Sequence, residues 1–425
     1  MILSKLKIQA EEHVGDETPI QHAVIIVPAG FTSLQRQMIS DAAAIAGLTV
    51  MRFLSGSTAA ILYACGRQQT SVHPPRRLVL AYDLGGGSLD ITLAEVHNGV
   101  VEVKATDGNV NIGGQDIDEC MVDHLVKDIA ERSNLDITHD RHAMSKLRHA
   151  CERAKELLST RSMARVEIDG LTENSMFYSR EITRMEFIGW CEPLIRSSIT
   201  SIENVMIKSD VDKEDVHDYI LVGGLAQMPL VVASLARYFG KTPLTVTDLR
   251  GVAVDSTKLA VLGAGLQSMF LCERRPDNIE DFVLNDVISI PIGVKGADGA
   301  MRTLVKRNAA YPTEVRRTYS TGKGYYNHVI IRLYEGGRAE TKDNAYMGEF
   351  EVLCPWNETT FDIVLNVDEL GLVRVDRKQT RVREGFLESW RMSREELDIS
   401  ASKIIVYDGT CKFAHADQTG SLTYL

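Results

Sequence analysis

A carboxylate, three consecutive glycines and a serine crowd into one short stretch, Asp83-Leu84-Gly85-Gly86-Gly87-Ser88, with a second carboxylate, Asp90, just beyond it. Glycine lets backbone N–H groups approach an anion that any Cβ would hold away. A carboxylate ending the incoming strand can hold a hard cation such as magnesium, or its waters, beside phosphate oxygens. The run therefore reads as a phosphate cradle, although a plain hairpin turn has a similar composition. Glu152 and Lys155 are a second candidate pair: three apart on a helical pattern, they would share a face over one cleft. A solvated ion pair is the simpler account of them.

Positioning these groups falls to alternating strand and helix patterns. Leu78 to Tyr82 and Leu89 to Val96 flank the glycine turn as strands. Upstream, Ala23 to Val27 reads as a strand, Leu34 to Ala46 as a helix, Thr49 to Leu54 as a strand and Ser57 to Cys65 as a helix. Downstream, Gln115 to Glu131, with Ile117, Met121, Leu125 and Ile129 at helical spacing, and Arg141 to Leu158 read as amphipathic helices. Thr183 to Ile207 is a further helix, Tyr219 to Val222 a strand, and Pro229 to Phe239 and Lys258 to Leu271 two last helices. This alternation predicts a layered α/β architecture. After Phe270 the character changes, and from Ile288 onward short β-branched stretches alternate with Gly, Asn and Pro turns, as in a β-sandwich. The boundary falls near residue 280. Phe282 to Leu284 is an apolar patch between acids that also suits an ordinary strand start.

A chain of 425 residues predicts two domains. Its net charge of −11 argues against a nucleic-acid or anionic-membrane surface. No apolar run reaches the roughly eighteen residues of a membrane span, and lysines interrupt the start, so no signal-peptide core is expected. The seven cysteines are scattered, without CxxC or ligand-like His spacing. Reduced thiols in a reducing, cytoplasmic compartment are the expectation.

Taken in order, Val27-Pro28-Ala29-Gly30-Phe31 before a helix with Gln35-Arg36-Gln37, the glycine hairpin, Gly113-Gly114-Gln115-Asp116, the run Ala150 to Lys155 and Leu221-Val222-Gly223-Gly224 resemble the ATPase domain of the heat-shock protein 70 (DnaK-type) family. Tyr334-Glu335-Gly336-Gly337-Arg338 and Thr341-Lys342-Asp343-Asn344 resemble its peptide-binding domain, and the resemblance runs from about Leu3 to about Val375. It implies an α/β actin-like (ribonuclease H-like) ATPase domain over 1–275, an interdomain linker over 276–287 and an all-β sandwich peptide-binding domain over 288–385. A short tail without the family's helical lid would follow over 386–425. It also implies ATP or ADP with magnesium as ligand. Asp83 and Asp90 would be catalytic, with Asp83 on the metal, and Gly85, Gly86, Gly87, Ser88, Gly114, Glu152, Lys155, Ser159, Gly223 and Gly224 would bind the nucleotide. Pro28 and Arg36 would relay nucleotide state between domains. Ile292, Val294, Tyr319, Val329 and Ile331 would form an apolar slot for extended peptide, although on alternation alone they read as sandwich core. Implied partners are unfolded polypeptides, a J-domain co-chaperone and a nucleotide-exchange factor.

The chain departs from this pattern in one direction. The resemblance implies that it starts downstream of the family's first phosphate loop and catalytic lysine, leaving the domain incomplete at its N-terminus and Val24 to Val27 as an apolar edge in need of a partner. Gly56 stands where the family has a glutamate that helps hold the cation and its waters. Glu156 and Gln227 replace two arginines that sandwich the adenine, Leu225 replaces a small hydroxyl residue, and Gln115 replaces a glutamate near the ribose. Ala297 replaces a larger residue arching over the peptide, and Pro291 interrupts a strand. Phosphoryl transfer depends on positioning and charge, so weakened or lost hydrolysis is expected. The leading expectation is an ATP-binding chaperone of this type. The alternative is a nucleotide-independent peptide-binding scaffold. A sugar kinase of the same actin-like superfamily would not explain the β-rich segment after residue 280.

Overall fold

The computed structural model describes residues 1–15, 19–66, 76–172, 176–248, 250–272, 282–320, 328–353, 360–375, 380–382, 414–416 and 422–424. In chain order the first elements are α1 (Ile2–Val14), β1 (His22–Ile26), α2 (Ser33–Ile45), β2 (Thr49–Leu54), α3 (Gly56–Gly66), β3 (Arg77–Leu84), β4 (Leu89–His97) and β5 (Val100–Asn109). There follow α4 (Gly114–Ser133), α5 (Arg141–Thr160), β6 (Met163–Ile168), β7 (Tyr178–Thr183), α6 (Arg184–Ser209), β8 (Asp218–Val222), α7 (Pro229–Phe239) and α8 (Leu259–Leu271). Next come β9 (Val283–Val287), β10 (Ile292–Lys295), β11 (Met301–Val305), β12 (Ala310–Tyr311) and β13 (Thr313–Ser320). The last are β14 (His328–Glu335), β15 (Ala345–Leu353), β16 (Thr360–Val367), β17 (Val373–Val375) and β18 (Thr380–Val382).

The expected helices and strands of the first two-thirds are all present within two residues of their sequence boundaries. Strands β5, β6 and β7 were not expected. The strict alternation of exposed and buried residues along β6 makes it legible in retrospect, with Ala164, Val166 and Ile168 facing inward.

A six-stranded sheet in the order β12-β9-β5-β4-β3-β8 organises the first unit. Because successive side chains on a strand point to opposite faces, β3 divides its residues between two cores. Leu80, Tyr82 and Leu84 enter the core formed with α4 to α7, while Val79 and Ala81 enter the one formed with α3 and α8. Beyond α3 and α8 lies a separate parallel pair, β1 and β2, with α2 covering its other face. Among the described residues β1 pairs only with β2, and Ile26 at its end is exposed. No described helix is long and apolar enough to cross a membrane. Cys65, Cys120, Cys151, Cys191 and Cys272 are free thiols, and Cys354 and Cys411 lie outside the described residues.

The segment expected as a linker, 276–287, is described only in its later part. Residues 276–281 lie outside the described residues, but Val283–Val287 is a strand of the first sheet, parallel to β5 with Val100 opposite Val283. Its other edge takes β12 from the later segment, with Tyr311 opposite Asp286. Phe282 packs against Phe270. The apolar patch Phe282 to Leu284 thus enters a strand of the first sheet, as the strand-start reading has it.

In the second unit a five-stranded sheet, β11-β10-β14-β15-β18, and a three-stranded sheet, β13-β16-β17, enclose a common core that includes Ile292, Val294, Leu333, Phe350, Ile363 and Leu365. Leu34 of α2 packs against that core. Of the expected tail, the short strands Ala414–Ala416 and Leu422–Tyr424 pair with each other, and the rest lies outside the described residues.

Candidate functional site

Antiparallel pairing of β3 with β4 puts Asp83 directly opposite Asp90, so both carboxylates leave the sheet on one face, towards α3. The turn between them is closed by the Gly85 N–H donating to the Ser88 carbonyl at 3.1 Å. The first turn of α4 then clamps it: the N–H groups of Gly114 and Gln115 donate to the carbonyls of Gly85 and Gly86 at 3.0 and 2.8 Å. Helix N-termini have free donors, and here two are spent on fixing the glycine turn. The turn after β8 crosses from the other side. At Gly223, with φ of 85°, a Cβ would lie 2.5 Å from the Leu84 carbonyl oxygen, so only glycine lets the two segments touch.

Asp83 has no hydrogen-bond or ion-pair partner among the described residues, and burial pushes its carboxyl up to about 6. Asp90 is 6% exposed. Burial chiefly, and then the charge of Asp83, raise its carboxyl to about 7, opposed by the Ala29 N–H, the Ser88 hydroxyl and Arg36. Two neighbouring acids with this little cationic support from the protein suit a hard divalent cation, which would relieve both burial and mutual repulsion. Two carboxylates and a hydroxyl fit magnesium carried on phosphates better than a cage made of protein ligands alone. No group of three or more His, Cys, Asp or Glu side chains suited to a metal occurs among the described residues.

The structure separates Glu152 from Lys155. Lys155 Nζ donates to the Asp118 carboxylate at 2.7 Å and to the Gly114 carbonyl at 3.3 Å, tying α5 to the start of α4. Glu152 is exposed and lies 3.9 Å from His149, so the shared orientation over one cleft is not seen. Ser159 donates to the Lys155 carbonyl at 3.4 Å within α5, and Gly224 is exposed beside Thr257. Glu156 and Gln227, at the expected arginine positions, are both exposed. Asp118 was missed because its role depends on the α4–α5 packing.

Pro28 and Arg36 stand where the hairpin meets the second unit. The Ala29 N–H donates to Asp90 Oδ1 at 2.9 Å, and the Ala29 carbonyl accepts from the Ser289 hydroxyl beyond β9. Pro28 precedes this residue, and its carbonyl accepts from the Phe31 N–H at 3.1 Å. Arg36 donates weakly to the Phe31 carbonyl at 3.5 Å and stands near three buried groups, Asp90, Glu335 and Tyr311. Glu335 caps the start of α2, accepting from the Ser33 N–H at 2.9 Å and its hydroxyl at 3.1 Å. Arg52 of β2 donates to the Leu284 carbonyl at 3.1 Å, holding β9 against the first unit. The pairings of Ser33 with Glu335 and of Ser289 with Ala29 carried no local sequence signal, since Ser33 and Glu335 are 302 residues apart.

The five expected slot residues do come together. Ile292 and Val294, 1% and 3% exposed, are closed inside the second core, while Tyr319, Val329 and Ile331 pack on its margin, Tyr319 stacking on Phe361. Ile292 and Val294 are thus core residues of the second unit.

Comparison with known proteins agrees with this architecture. Residues 1–404 match the family model described as Hsp70 protein. The chain is 33% identical over 410 residues to heat shock 70 kDa protein 2 of Paracoccidioides lutzii, covering 94% of this chain and 61% of that protein. Heat shock 70 kDa protein of Emericella nidulans is 34% identical over 409 residues, with the same coverage. Heat shock cognate 70 kDa protein 3 of Dictyostelium discoideum is 34% identical over 379 residues, or 88% of this chain and 59% of that one. The chain thus spans about three fifths of the length of these relatives. With this family model spanning residues 1–404, the chain belongs to the Hsp70 family, and its first unit is that family's actin-like ATPase domain.

Proposed function

We propose that this chain binds a magnesium–nucleotide complex, ATP or ADP, between the glycine hairpin and the Gly223–Gly224 turn, and uses nucleotide state to control a chaperone-type interaction with extended apolar polypeptide. The observation that carries the reading is Asp83: a half-buried carboxylate with no partner among the described residues, opposite a buried Asp90 and beside a turn of three glycines. Bound magnesium would neutralise the phosphate oxygens. Asp83 would face the cation or its waters, Asp90 would add negative charge behind it, and the backbone of Gly85, Gly86, Gly87 and Ser88 would take the phosphates. Gly114, Lys155 and Ser159 would line the nucleoside side, Lys155 fixing the α4–α5 contact through Asp118. Glu152 would join them only after turning from His149.

Asp90 is also the point from which the site reaches the second unit, through Ala29 and Ser289. Ligand charge at the hairpin would therefore be felt at Pro28, Arg36 and β9. The slot at Ile292, Val294, Tyr319, Val329 and Ile331 would open for peptide when the contacts holding the units together loosen. A J-domain protein and a nucleotide-exchange factor are the proposed partners, and the cytoplasm the proposed compartment. The domain divisions near 275 and 288 and a tail from 386 complete the reading, with β9 docked as part of the first sheet.

Hydrolysis would be weak, because Gly56 offers no carboxylate and Glu156 and Gln227 offer no guanidinium. These same residues favour the second reading, a peptide-binding scaffold that works without nucleotide. Calorimetry of the purified chain with ATP and ADP in magnesium separates the two. Micromolar or tighter binding, weakened in Asp83→Ala, is expected, and absence of binding to the unaltered chain would leave the scaffold.

A further inference from the structure

Asp83 is gripped by two glycines from segments far apart in sequence. At Gly56, the first residue of α3, an ideal Cβ would fall inside van der Waals contact with Asp83 Oδ2 and 3.3 Å from its Cγ. At Gly223 it would come within 3.1 Å of Asp83 Oδ1. The two carboxylate oxygens thus each lie against a residue lacking a side chain. Neither glycine donates a hydrogen bond to Asp83, so the grip is one of shape. The surroundings on the α3 side are already satisfied among themselves. Ser55 accepts from the Thr58 N–H at 3.0 Å and lies 2.8 Å from its hydroxyl, and the Ser57 hydroxyl is 2.8 Å from that of Thr92. No side chain at the start of α3 competes for the Asp83 carboxylate.

We infer that Gly56 is a positioning residue for the cation-facing carboxylate: its missing Cβ makes one wall of a slot that fixes Asp83, with Gly223 as the other. This rests on the nucleotide reading above for its function, but the slot itself is a steric statement. A Cβ at Gly223 would strike the Leu84 backbone, whereas at Gly56 the nearest obstacle is the end of a side chain that can turn aside. Gly56→Ala should therefore fold, with Asp83 rotated away from its place between the glycines. A position where the family resemblance implies a charged side chain would here serve by having none.

The test is a cycle of Gly56→Ala, Asp83→Ala and the double variant on the full chain. Calorimetry with ADP in magnesium should show at least a tenfold weaker affinity for Gly56→Ala, approaching that of Asp83→Ala, with the double variant no weaker still. In EDTA the variants and the unaltered chain should bind alike. Additive losses, or an unchanged magnesium-dependent affinity, would overturn the assignment. A crystal structure of Gly56→Ala should show the Asp83 carboxylate displaced; an unmoved carboxylate refutes the slot. If the unaltered chain binds no nucleotide, the functional reading fails while the crystal structure still decides the slot. Should Gly56→Ala lower the Tm, Asp83→Ala in the same chain should restore it, and failure to do so also counts against the proposal.

Discussion

Replacing Glu335 with glutamine should remove a pH dependence that the fold builds into the contact between its two units. Glu335 is 6% exposed, at the end of β14, and accepts both the N–H and the hydroxyl of Ser33. Burial raises its carboxyl from 4.5 to about 7, against the Ser33 hydrogen bonds and the charge of Arg36, which lower it. The folded chain thus holds this proton more tightly than the unfolded chain. The contribution to stability is fully present below the unfolded value of 4.5 and is lost as pH rises through about 7. Integrated for one site, the loss between about pH 5 and about pH 7 is about 2 kcal/mol. Asp83 and Asp90 add the same sign, so the informative quantity is the difference between the unaltered chain and Glu335→Gln, which keeps size and an acceptor oxygen but cannot titrate. Urea unfolding followed by circular dichroism across this range should show that difference falling by about 2 kcal/mol as pH increases. A difference that stays flat, or rises with pH, would refute the placement of a buried carboxyl against Ser33.

Gly223→Ala should be far more harmful than Gly56→Ala. Its φ of 85° is strained for alanine and its Cβ would meet the Leu84 backbone, so a loss of about 2 kcal/mol or more is expected from urea unfolding. Tyr82→Phe should cost about 1 kcal/mol in the same assay, because the Tyr82 hydroxyl donates to the buried Ser198 at 2.7 Å in the middle of the first core.

The order of elements is legible in the residues themselves because each element carries its own signal. Ile117, Met121, Leu125 and Ile129 recur at helical spacing and are all buried on α4. Residues 89–96 read as a strand because β-branched and aliphatic residues cluster between a glycine turn and a polar end. The hairpin with its two acids is equally visible, since a turn, its glycines and its flanking strands are neighbours in sequence. The docking of β9 is less so: an apolar patch between acids suits a linker and a strand alike, and only the free edge of β5 decides between them. Glu152 and Lys155 likewise share a helix but not a partner, because Asp118 lies on another helix and claims only the lysine.

What the sequence determined by itself was the periodicity, the turns and the motif order, all set by interactions between residues close along the chain. What tertiary structure alone decided was which groups meet across long loops: Gly56 and Gly223 against Asp83, Ser33 against Glu335, and Ser289 against Ala29. These contacts depend on the packing of separate elements around shared cores. Such packing fixes positions to within an ångström, and no local pattern of residue types records it.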